Sequence, residues 1–249
     1  MKVIQTQAIM LRYTNYKEAD RMLTLFSPNM GKVQAMARGC RKPKSRFLSA
    51  SQLFCYGDYI LYKIGDLNIV SQTEVKDSFY DIRSDVDRFA FASYIVSITE
   101  QAVNIGEGNY PLFYLLLNVL TQLSYGNIDP QDITHIFELK FMDILGYRPE
   151  LDECVSCGDH ISTVPVFSSE EGGLLCPKCY NRQKSGYTIQ MGTVQTMRHI
   201  LDMDIRKVNV LKMSSNVKKE LNTILPSYVS EKIDRRVRSM DFINKMNLS

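Results

Sequence analysis

Four cysteines in the second half of the chain form two Cys-x-x-Cys pairs, a spacing typical of a metal site. The pairs are Cys154 with Cys157 and Cys176 with Cys179, and 18 residues separate them. Each pair places two sulfurs on one tight turn, so two such turns can surround one ion at about 2.3 Å. Because four thiolates leave no open coordination position, we predict one structural zinc ion per chain.

Other uses of paired cysteines fit this sequence less well. Disulfides need an oxidising compartment, to which nothing in the sequence points, and a thioredoxin-like redox centre needs a βαβ setting. A zinc deaminase would need a His-x-Glu motif, which the sequence lacks. An iron–sulfur cluster stays open as an alternative. We interpret His160 as a surface histidine beside the site rather than a ligand, and Cys40 and Cys55 as ordinary barrel residues.

A basic stretch, residues 38–47, is the second group that could do chemistry. It contains five Lys or Arg and no acidic residue, and Gly39 and Pro43 favour a loop over a helix. Cations on a mobile loop neutralise phosphates without reading bases, so we predict salt-sensitive, nearly sequence-independent binding of nucleic acid. The predicted DNA contacts are Arg38, Arg41, Lys42, Lys44 and Arg46, with Arg12, Arg21 and Lys32 extending the patch.

Aromatic residues near the basic stretch are candidate platforms on which bases could stack. Most aromatic side chains of a small barrel belong to its core, so each of these residues also has a purely structural interpretation. The candidates are Tyr13, Tyr16, Phe47 and Tyr56.

The first 80 residues, which must position these cations, have the pattern of a β-structure. Alternating apolar and polar residues predict strands over residues 3–11, 21–27, 31–38, 53–62 and 67–75. Five short antiparallel strands in so few residues favour a closed barrel of the OB type, which leaves no free sheet edge. An open SH3-like barrel is the alternative.

From residue 80 the hydrophobic period changes from two to 3.6, which predicts helices. A second helix is predicted over residues 111–124, and a third opens at Asp129-Pro130 and ends at Gly146. Thr193 is predicted to cap a further helix, and the last forty residues are helical but weakly patterned. The first helix is predicted to bury Ile82, Val86, Phe89, Ser93 and Val96, and the helix after Thr193 is predicted to bury Val194, Met197, Ile200 and Leu201.

We therefore predict an α+β protein with an N-terminal OB-fold β-barrel, followed by an α-helical domain that carries an inserted four-cysteine zinc module. The predicted domains are a DNA-binding OB-fold over residues 1–80 and the first part of the helical domain over 81–147. The zinc module then covers residues 148–190, and the C-terminal part of the helical domain covers residues 191–249.

Charge is segregated along the chain, although the net charge is only +3. Residues 1–80 carry 12 Lys or Arg against 6 Asp or Glu, residues 81–147 carry 3 against 9, and residues 148–249 carry 15 against 12. A basic head of this kind favours a polyanion as partner. A later basic group is interrupted by acidic residues, which favours a solvated helix face over a second DNA or protein contact. It comprises Lys232, Arg235, Arg236 and Arg238.

Composition and missing motifs narrow the class of protein. A hydrophobic fraction of 45% with 23% charged residues is ordinary for a globular protein. The sequence shows neither a secretory leader nor a membrane-length apolar run, so we expect a soluble cytoplasmic protein without a membrane partner. Phosphate loops, dinucleotide fingerprints and hydrolase motifs are also absent, so we expect a protein that is not an enzyme.

The order of these motifs resembles the RecO family of bacterial recombination mediators. The similar segments are AIMLR (8–12), YKEADRMLTLF (16–26), GKV (31–33) leading to ARG (37–39), KSRF (44–47), LGYRP (145–149) before the four cysteines, and RSMDF (238–242). Together they span essentially the whole chain. The resemblance implies an OB-fold, a helical domain and, in many lineages, a zinc module.

The resemblance also implies a function and partners. Members bind single- and double-stranded DNA, anneal complementary strands and, with RecR, help RecA load onto DNA coated by single-stranded-DNA-binding protein (SSB), with a functional link to RecF. The resemblance further implies a nucleoid-associated location. It also implies an apolar groove bordered by basic residues for the acidic SSB tail, and we expect this groove near residues 198–219 or 232–238. The alternative function is a zinc-containing interaction scaffold whose basic loop docks an acidic protein partner.

Overall fold

The computed structural model describes residues 3–161, 164–183, 185–204 and 212–233. The chain forms two compact units, Met1–Tyr125 and Gly126–Ser249. Strands give way to helices near residue 80, inside the first unit, so the change of secondary structure and the division into units fall at different places. The domain boundaries predicted at residues 147 and 190 stay predictions.

Five strands of the first unit close into a barrel. They are β1 (Val3–Tyr16), β2 (Asp20–Ser27), β3 (Gly31–Ala37), β4 (Tyr56–Ile64) and β5 (Leu67–Asp77). Their order around the barrel is β1-β2-β3-β5-β4, and β4 returns to pair with β1. The long β1 serves both neighbours because a register shift between Met10 and Arg12 bends it. The closed barrel confirms the OB-like prediction over the SH3-like alternative.

One detail of the barrel corrects the sequence prediction. Strand β3 pairs with β5 in parallel, through Ala35 with Asn68 and Met36 with Ile69, whereas all strands were expected to be antiparallel. Alternation of apolar and polar residues shows which face of the sheet each side chain occupies, but it does not show whether the neighbouring strand runs parallel or antiparallel. The small side chains of Ala35 and Ala37 point into the barrel, where they are fully buried with larger residues from β1, β2 and β4.

The first unit continues with three helices: α1 (Tyr80–Ser84), α2 (Val86–Ala102) and α3 (Tyr110–Tyr125). The single first helix expected from residue 82 is broken at Asp85, which is extended at φ −119° and accepts the N–H of Arg88 at 2.9 Å. This cap resets the helical phase, so Val86 and Phe89 are exposed rather than buried as predicted. Ile82 and Val96 are buried, as expected.

In the described part of the second unit, one helix precedes a small sheet, a short helix lies between its last two strands and two helices follow it. Its elements are α4 (Pro130–Ile144), β6 (Val166–Ser168), β7 (Gly173–Leu175), α5 (Pro177–Gln183), β8 (Tyr187–Thr188), α6 (Met191–Asp202) and α7 (Ser215–Ile233). Asp129 caps α4 by accepting the N–H of Gln131 at 3.0 Å, as predicted. Helices α4, α6 and α7 pack on one another, and β6 lies between β7 and β8.

Helix α6 confirms the predicted apolar face but not the predicted cap. Its four predicted apolar residues are buried, yet the helix begins at Met191, and Gln190 occupies the cap position. Thr193 lies inside the first turn, where its hydroxyl bonds to the carboxylate of Glu220 on α7. Residues 235–238 and the RSMDF segment fall outside the described residues. None of the described helices is both long and apolar enough to span a membrane.

Candidate nucleic-acid interface and metal centre

The chain between β3 and β4, residues 38–55, is a loop rather than a helix, as predicted, and it forms consecutive hydrogen-bonded turns. The amide of Ser45 donates to the carbonyl of Lys42 at 2.9 Å, and the amide of Ser51 donates to the carbonyl of Phe47 at 3.0 Å. Gly39 begins this segment at φ +66°, a left-handed conformation that glycine adopts without strain. We call residues 38–46 the basic segment.

Buried side chains hold these turns against the end of the barrel. Cys40, Phe47, Ala50 and Cys55 all belong to the barrel core. The hydroxyl of Tyr59, itself fully buried, donates to the carbonyl of Ala50 at 2.8 Å. Burial raises the pKa of Cys55 to about 11, so its thiol stays protonated, as expected of a core residue. Phe47 is only 7% exposed, which corrects its candidacy as a stacking platform.

Backbone bonds tie the basic segment to the turn between β1 and β2. The carboxylate of Asp20 accepts the N–H of Gly39 at 2.7 Å. The amide of Arg41 donates to the carbonyl of Ala19 at 3.0 Å, and its guanidinium approaches the carbonyl of Lys17 at 3.5 Å. The two turns therefore form one continuous edge of the barrel. We call its cations the basic rim: Lys17, Arg21, Arg38, Arg41, Lys42, Lys44 and Arg46.

The charges of the basic rim are not neutralised by the protein itself. Within the described part of the chain, no rim cation lies within 4.0 Å of a carboxylate, whereas such pairs occur elsewhere on the same barrel. The five cations of the basic segment are all exposed. Arg46 is steadied by the carbonyl of Ser71, to which it donates at 2.9 Å, and by the ring of Phe47. The rim is thus an array of cations that are mostly open to solvent.

Arg21 and Tyr13 form a closely packed pair at the edge of this rim. The Arg21 guanidinium lies 3.8 Å from the centroid of the Tyr13 ring, and it donates to the carbonyl of Ser51 at 2.8 Å. Its contacts orient the guanidinium. They also cover the face of Tyr13, so Tyr16 is the better candidate for base stacking, since it is 47% exposed beside Lys17.

The structure does not bring every predicted DNA contact to the rim. The Nε of Arg12 bonds to both carboxylate oxygens of Glu100, at 3.0 and 3.1 Å, so its charge is already paired. Lys32 lies at the start of β3, about 20 Å along the strand from the basic segment at its end. Sequence reasoning missed Lys17, whose position in the turn before β2 was the available signal.

The two cysteine pairs of the second unit converge on one point. The four sulfurs of Cys154, Cys157, Cys176 and Cys179 all lie within 4.8 Å of one another. Cys157 Sγ and Cys176 Sγ are 3.7 Å apart. A tetrahedron of sulfurs about 2.3 Å from a zinc ion would have edges of about 3.8 Å, so this separation fits. The sequence-predicted ligand set is therefore assembled in space.

Local folds explain why each pair points inward. The first pair sits on a turn in which the amide of Gly158, at φ +76°, donates to the carbonyl of Cys154 at 2.8 Å. In the second pair, Cys176 ends the β6–β7 hairpin and Cys179 lies in the first turn of α5. His160 is exposed and stands outside the sulfur cluster, near Glu153, as predicted.

Hydrogen bonds to sulfur favour the thiolate form at Cys154, whereas at Cys157 the lowering effect of the Asp159 amide is outweighed by desolvation and by the neighbouring sulfurs, which raise the pKa of that thiol. Burial alone would raise the pKa of Cys154, but amides of residues 156, 157 and 176 donate to its sulfur and lower the pKa to about 6. The bond from the Cys176 amide measures 3.3 Å. All six cysteines, which lie in the described part of the chain, are free rather than disulfide-bonded. The donor set can therefore bind a metal ion as four thiolates.

Comparisons with known proteins agree with this architecture. The family model described as "Recombination protein O N terminal" matches residues 1–79, and "Recombination protein O C terminal" matches residues 83–241. DNA repair protein RecO of Alkaliphilus metalliredigens is 36% identical over 233 residues, covering 94% of this chain and 95% of that protein. DNA repair protein RecO of Acetivibrio thermocellus is 31% identical over 247 residues, covering 99% and 98%. The chain therefore belongs to the RecO family of DNA repair proteins, with a role in recombinational repair.

Proposed function

We propose that the chain is a non-catalytic mediator that binds single- and double-stranded DNA and anneals complementary strands. With RecR, it helps RecA load onto DNA coated by SSB. The observation that carries the proposal is the basic rim, seven cations on a closed barrel without carboxylate partners among the described residues. Such an array suits phosphates, whose recognition needs charge and shape but no base reading.

Charge neutralisation gives a physical route to annealing. Two complementary strands repel each other through their phosphates, and cations placed on both strands remove much of that repulsion while releasing counterions. The rim needs no nucleotide hydrolysis for this step, because pairing itself is favourable once the strands meet. With Tyr16 as its one half-exposed aromatic residue in the described part, the rim should discriminate little between base sequences.

A charge-reversal experiment tests the DNA contact. Changing Arg38, Arg41 and Lys44 to Glu should weaken oligonucleotide binding at least about a hundredfold and reduce its salt dependence. The matched control reverses Lys63, Lys178 and Arg182, which are exposed cations outside the rim. Both variants should unfold at nearly the wild-type temperature. Unchanged DNA binding in the rim variant, or retained binding of an acidic protein partner alone, would favour the scaffold alternative.

We propose zinc as the ion of the four-cysteine site. Four thiolates in a closed set favour zinc, and the ion would hold the turn at Cys154 to the start of α5. Its contribution is to the stability of the second unit rather than to any chemical step. An iron–sulfur cluster would give the purified protein visible absorption, which separates the two possibilities.

The acidic SSB tail is proposed to bind along α7. A shallow groove there is lined by β8, the two residues after it and α7, and its charged residues are Lys219 and Glu220. The carboxylate of Glu220 accepts from Gln190 and Thr193, so it is already held by the protein. Lys219 also borders a second depression beside Met213 and Gln131. It has no carboxylate partner within the described residues, so it offers a cation at the edge of this groove. Lys219→Glu should weaken binding of a peptide with the sequence of that tail, whereas Lys178→Glu should not.

A further inference from the structure

An acidic and aromatic surface lies where α1 meets α2, in the same unit as the basic rim. Tyr80 and Val86 are each 66% exposed, and Tyr125 is 57% exposed. All three side chains are large, and exposed apolar surface of this kind is typical of interaction sites. We call the whole set the acidic aromatic surface: Tyr80, Asp81, Asp85, Val86, Asp87, Phe89 and Tyr125.

The two arginines of this region donate mainly to backbone carbonyls, and Arg83 also lies over the Tyr80 ring, 5.9 Å from its centroid. Arg83 donates to the carbonyl of Leu53 at 3.1 Å, and Arg88 donates to the carbonyl of Ser124 at 2.7 Å. The Nε of Arg88 stays 4.0 Å from Asp85, at the limit of an ion pair. Both guanidinium groups are half-buried, and after both are counted the three aspartates Asp81, Asp85 and Asp87 still leave a net negative charge at this surface.

The negative charge of this surface affects the pKa of Tyr125. Its hydroxyl donates to the carboxylate of Asp77 at 2.8 Å, and that bond raises the pKa of Tyr125, with Asp81 adding in the same direction. The ring therefore stays neutral and lies among carboxylates. Aromatic faces next to carboxylates attract guanidinium and ammonium groups by charge and by cation–π contact.

Helix capping explains only part of this arrangement. Asp85 caps α2, and Asp81 and Asp87 lie in first turns, where a carboxylate interacts favourably with the helix dipole. Capping gives no reason for the exposure of Tyr80 and Val86 beside these acids. A docked partner with cations around a small apolar centre would account for both features.

We propose that the acidic aromatic surface docks the basic rim of a second copy of this chain. The two surfaces are complementary in charge, and the rim cations have no carboxylate partner within the described residues. In the head-to-tail arrangement that we infer, each rim binds the acidic aromatic surface of the next copy, so the contact is heterologous and generates chains or rings rather than a two-fold dimer. Exposed ion pairs are individually weak, so assembly should be reversible and salt-sensitive.

This contact places self-association in competition with phosphate binding. A rim covered by the neighbouring copy cannot bind DNA, and DNA on the rim excludes the neighbour. An added oligonucleotide should therefore dissociate the chains into single copies, each with its own DNA. The competition would keep the protein assembled until a strand is available.

Sedimentation velocity at low salt tests the proposal on the full chain. The wild-type sedimentation coefficient should rise with concentration, and about 500 mM NaCl should abolish the rise. Two variants remove one surface each: Asp81→Asn with Asp87→Asn, and Arg41→Gln with Lys44→Gln. Each should associate at least about tenfold more weakly alone. Mixed together, they should form a 1:1 pair that grows no further, since each supplies the surface that the other lacks.

A control variant and separate outcomes distinguish self-association from the proposed function. Asp66→Asn with Glu74→Gln removes two exposed acids elsewhere on the barrel and should leave association unchanged. A wild-type chain that stays single at low salt, or association that neither surface variant weakens, would overturn the inference. The Asp81 and Asp87 variant should bind oligonucleotide at least as tightly as wild type. If the wild-type chain associates through the rim but the rim does not bind DNA, only the proposed function is rejected.

Discussion

The carboxylate of Asp20 accepts the backbone N–H of Gly39 at 2.7 Å, and this bond fixes the basic segment to the start of β2. Asp20→Ala should leave that N–H without its acceptor and lower the free energy of unfolding by about 1–2 kcal/mol. DNA affinity should fall only severalfold, because every rim cation remains. Urea unfolding followed by circular dichroism, with oligonucleotide titration, measures both effects.

Asp20→Asn is the matched control for this prediction. The amide oxygen keeps an acceptor for Gly39 while the charge is lost, so stability should lie closer to wild type than in the alanine variant. If both variants bind DNA and unfold like the wild type, the bond does not order the basic segment.

The ion pair of Arg12 with Glu100 is expected to mask one cation near the rim. Glu100→Gln should free Arg12, raise oligonucleotide affinity severalfold and steepen the slope of log affinity against log salt by about 0.9. Stability should change by less than about 1 kcal/mol, because Arg12 is more than half exposed. Binding isotherms at several salt concentrations measure the slope.

Asp66→Asn provides the comparison for this change. It frees Lys63 in the turn between β4 and β5, so it adds the same net charge at another place on the barrel. Equal gains in the two variants would mean that net charge, rather than the position of Arg12, governs binding.

Phe47 is expected to act as a core residue despite its place among DNA-contact candidates. It is 7% exposed within the barrel core, so Phe47→Ala should cost about 3–5 kcal/mol of unfolding free energy. The neighbouring Leu48 is 38% exposed, and Leu48→Ala should change the unfolding free energy by no more than about 0.5 kcal/mol. Thermal unfolding distinguishes the two. A mild effect at Phe47 with a strong loss of DNA affinity would restore it as a DNA contact.

The elements that depend on a local sequence pattern could be predicted from the sequence. Alternation placed the five strands, proline and aspartate placed the start of α4, and the spacing of Cys154, Cys157, Cys176 and Cys179 identified a set of sulfurs that the fold brings together. The strands, the helix start and each Cys-x-x-Cys pair depend on residues close in sequence. The two cysteine pairs lie further apart, but their repeated spacing is a known metal-binding pattern.

Features that depend on distant residues were missed. The parallel pairing of β3 with β5, the pairing of Arg12 with Glu100 and the tie between Asp20 and Gly39 each join residues far apart in the chain. The break at Asp85 was missed for another reason, since its cap competes with an apolar pattern that continues through it in the sequence.

Tyr16 is expected to contribute to single-stranded DNA more than to duplex. It is the rim aromatic residue with an exposed ring, and stacking of one base is worth about 1–3 kcal/mol. Tyr16→Ala should therefore weaken single-strand binding by about tenfold and leave duplex binding nearly unchanged, because duplex bases are already stacked. Tyr187→Ala, another half-exposed tyrosine, is the control. Equal losses on both forms of DNA would argue against stacking.

Removal of the metal should destabilise the second unit and leave DNA binding by the barrel intact. We expect one zinc per chain by elemental analysis, and replacement by cobalt should give the strong visible bands of thiolate ligation. Cys176→Ser should reduce the zinc content severalfold and lower the melting temperature of the second unit, since the metal holds both turns together. Oligonucleotide binding by the barrel should persist at moderate temperature. Cys40→Ala, which removes a thiol outside the cluster, should keep full zinc. Zinc content well below one per chain in wild-type protein prepared without chelator would contradict the assignment, because four preassembled thiolates should hold the ion tightly.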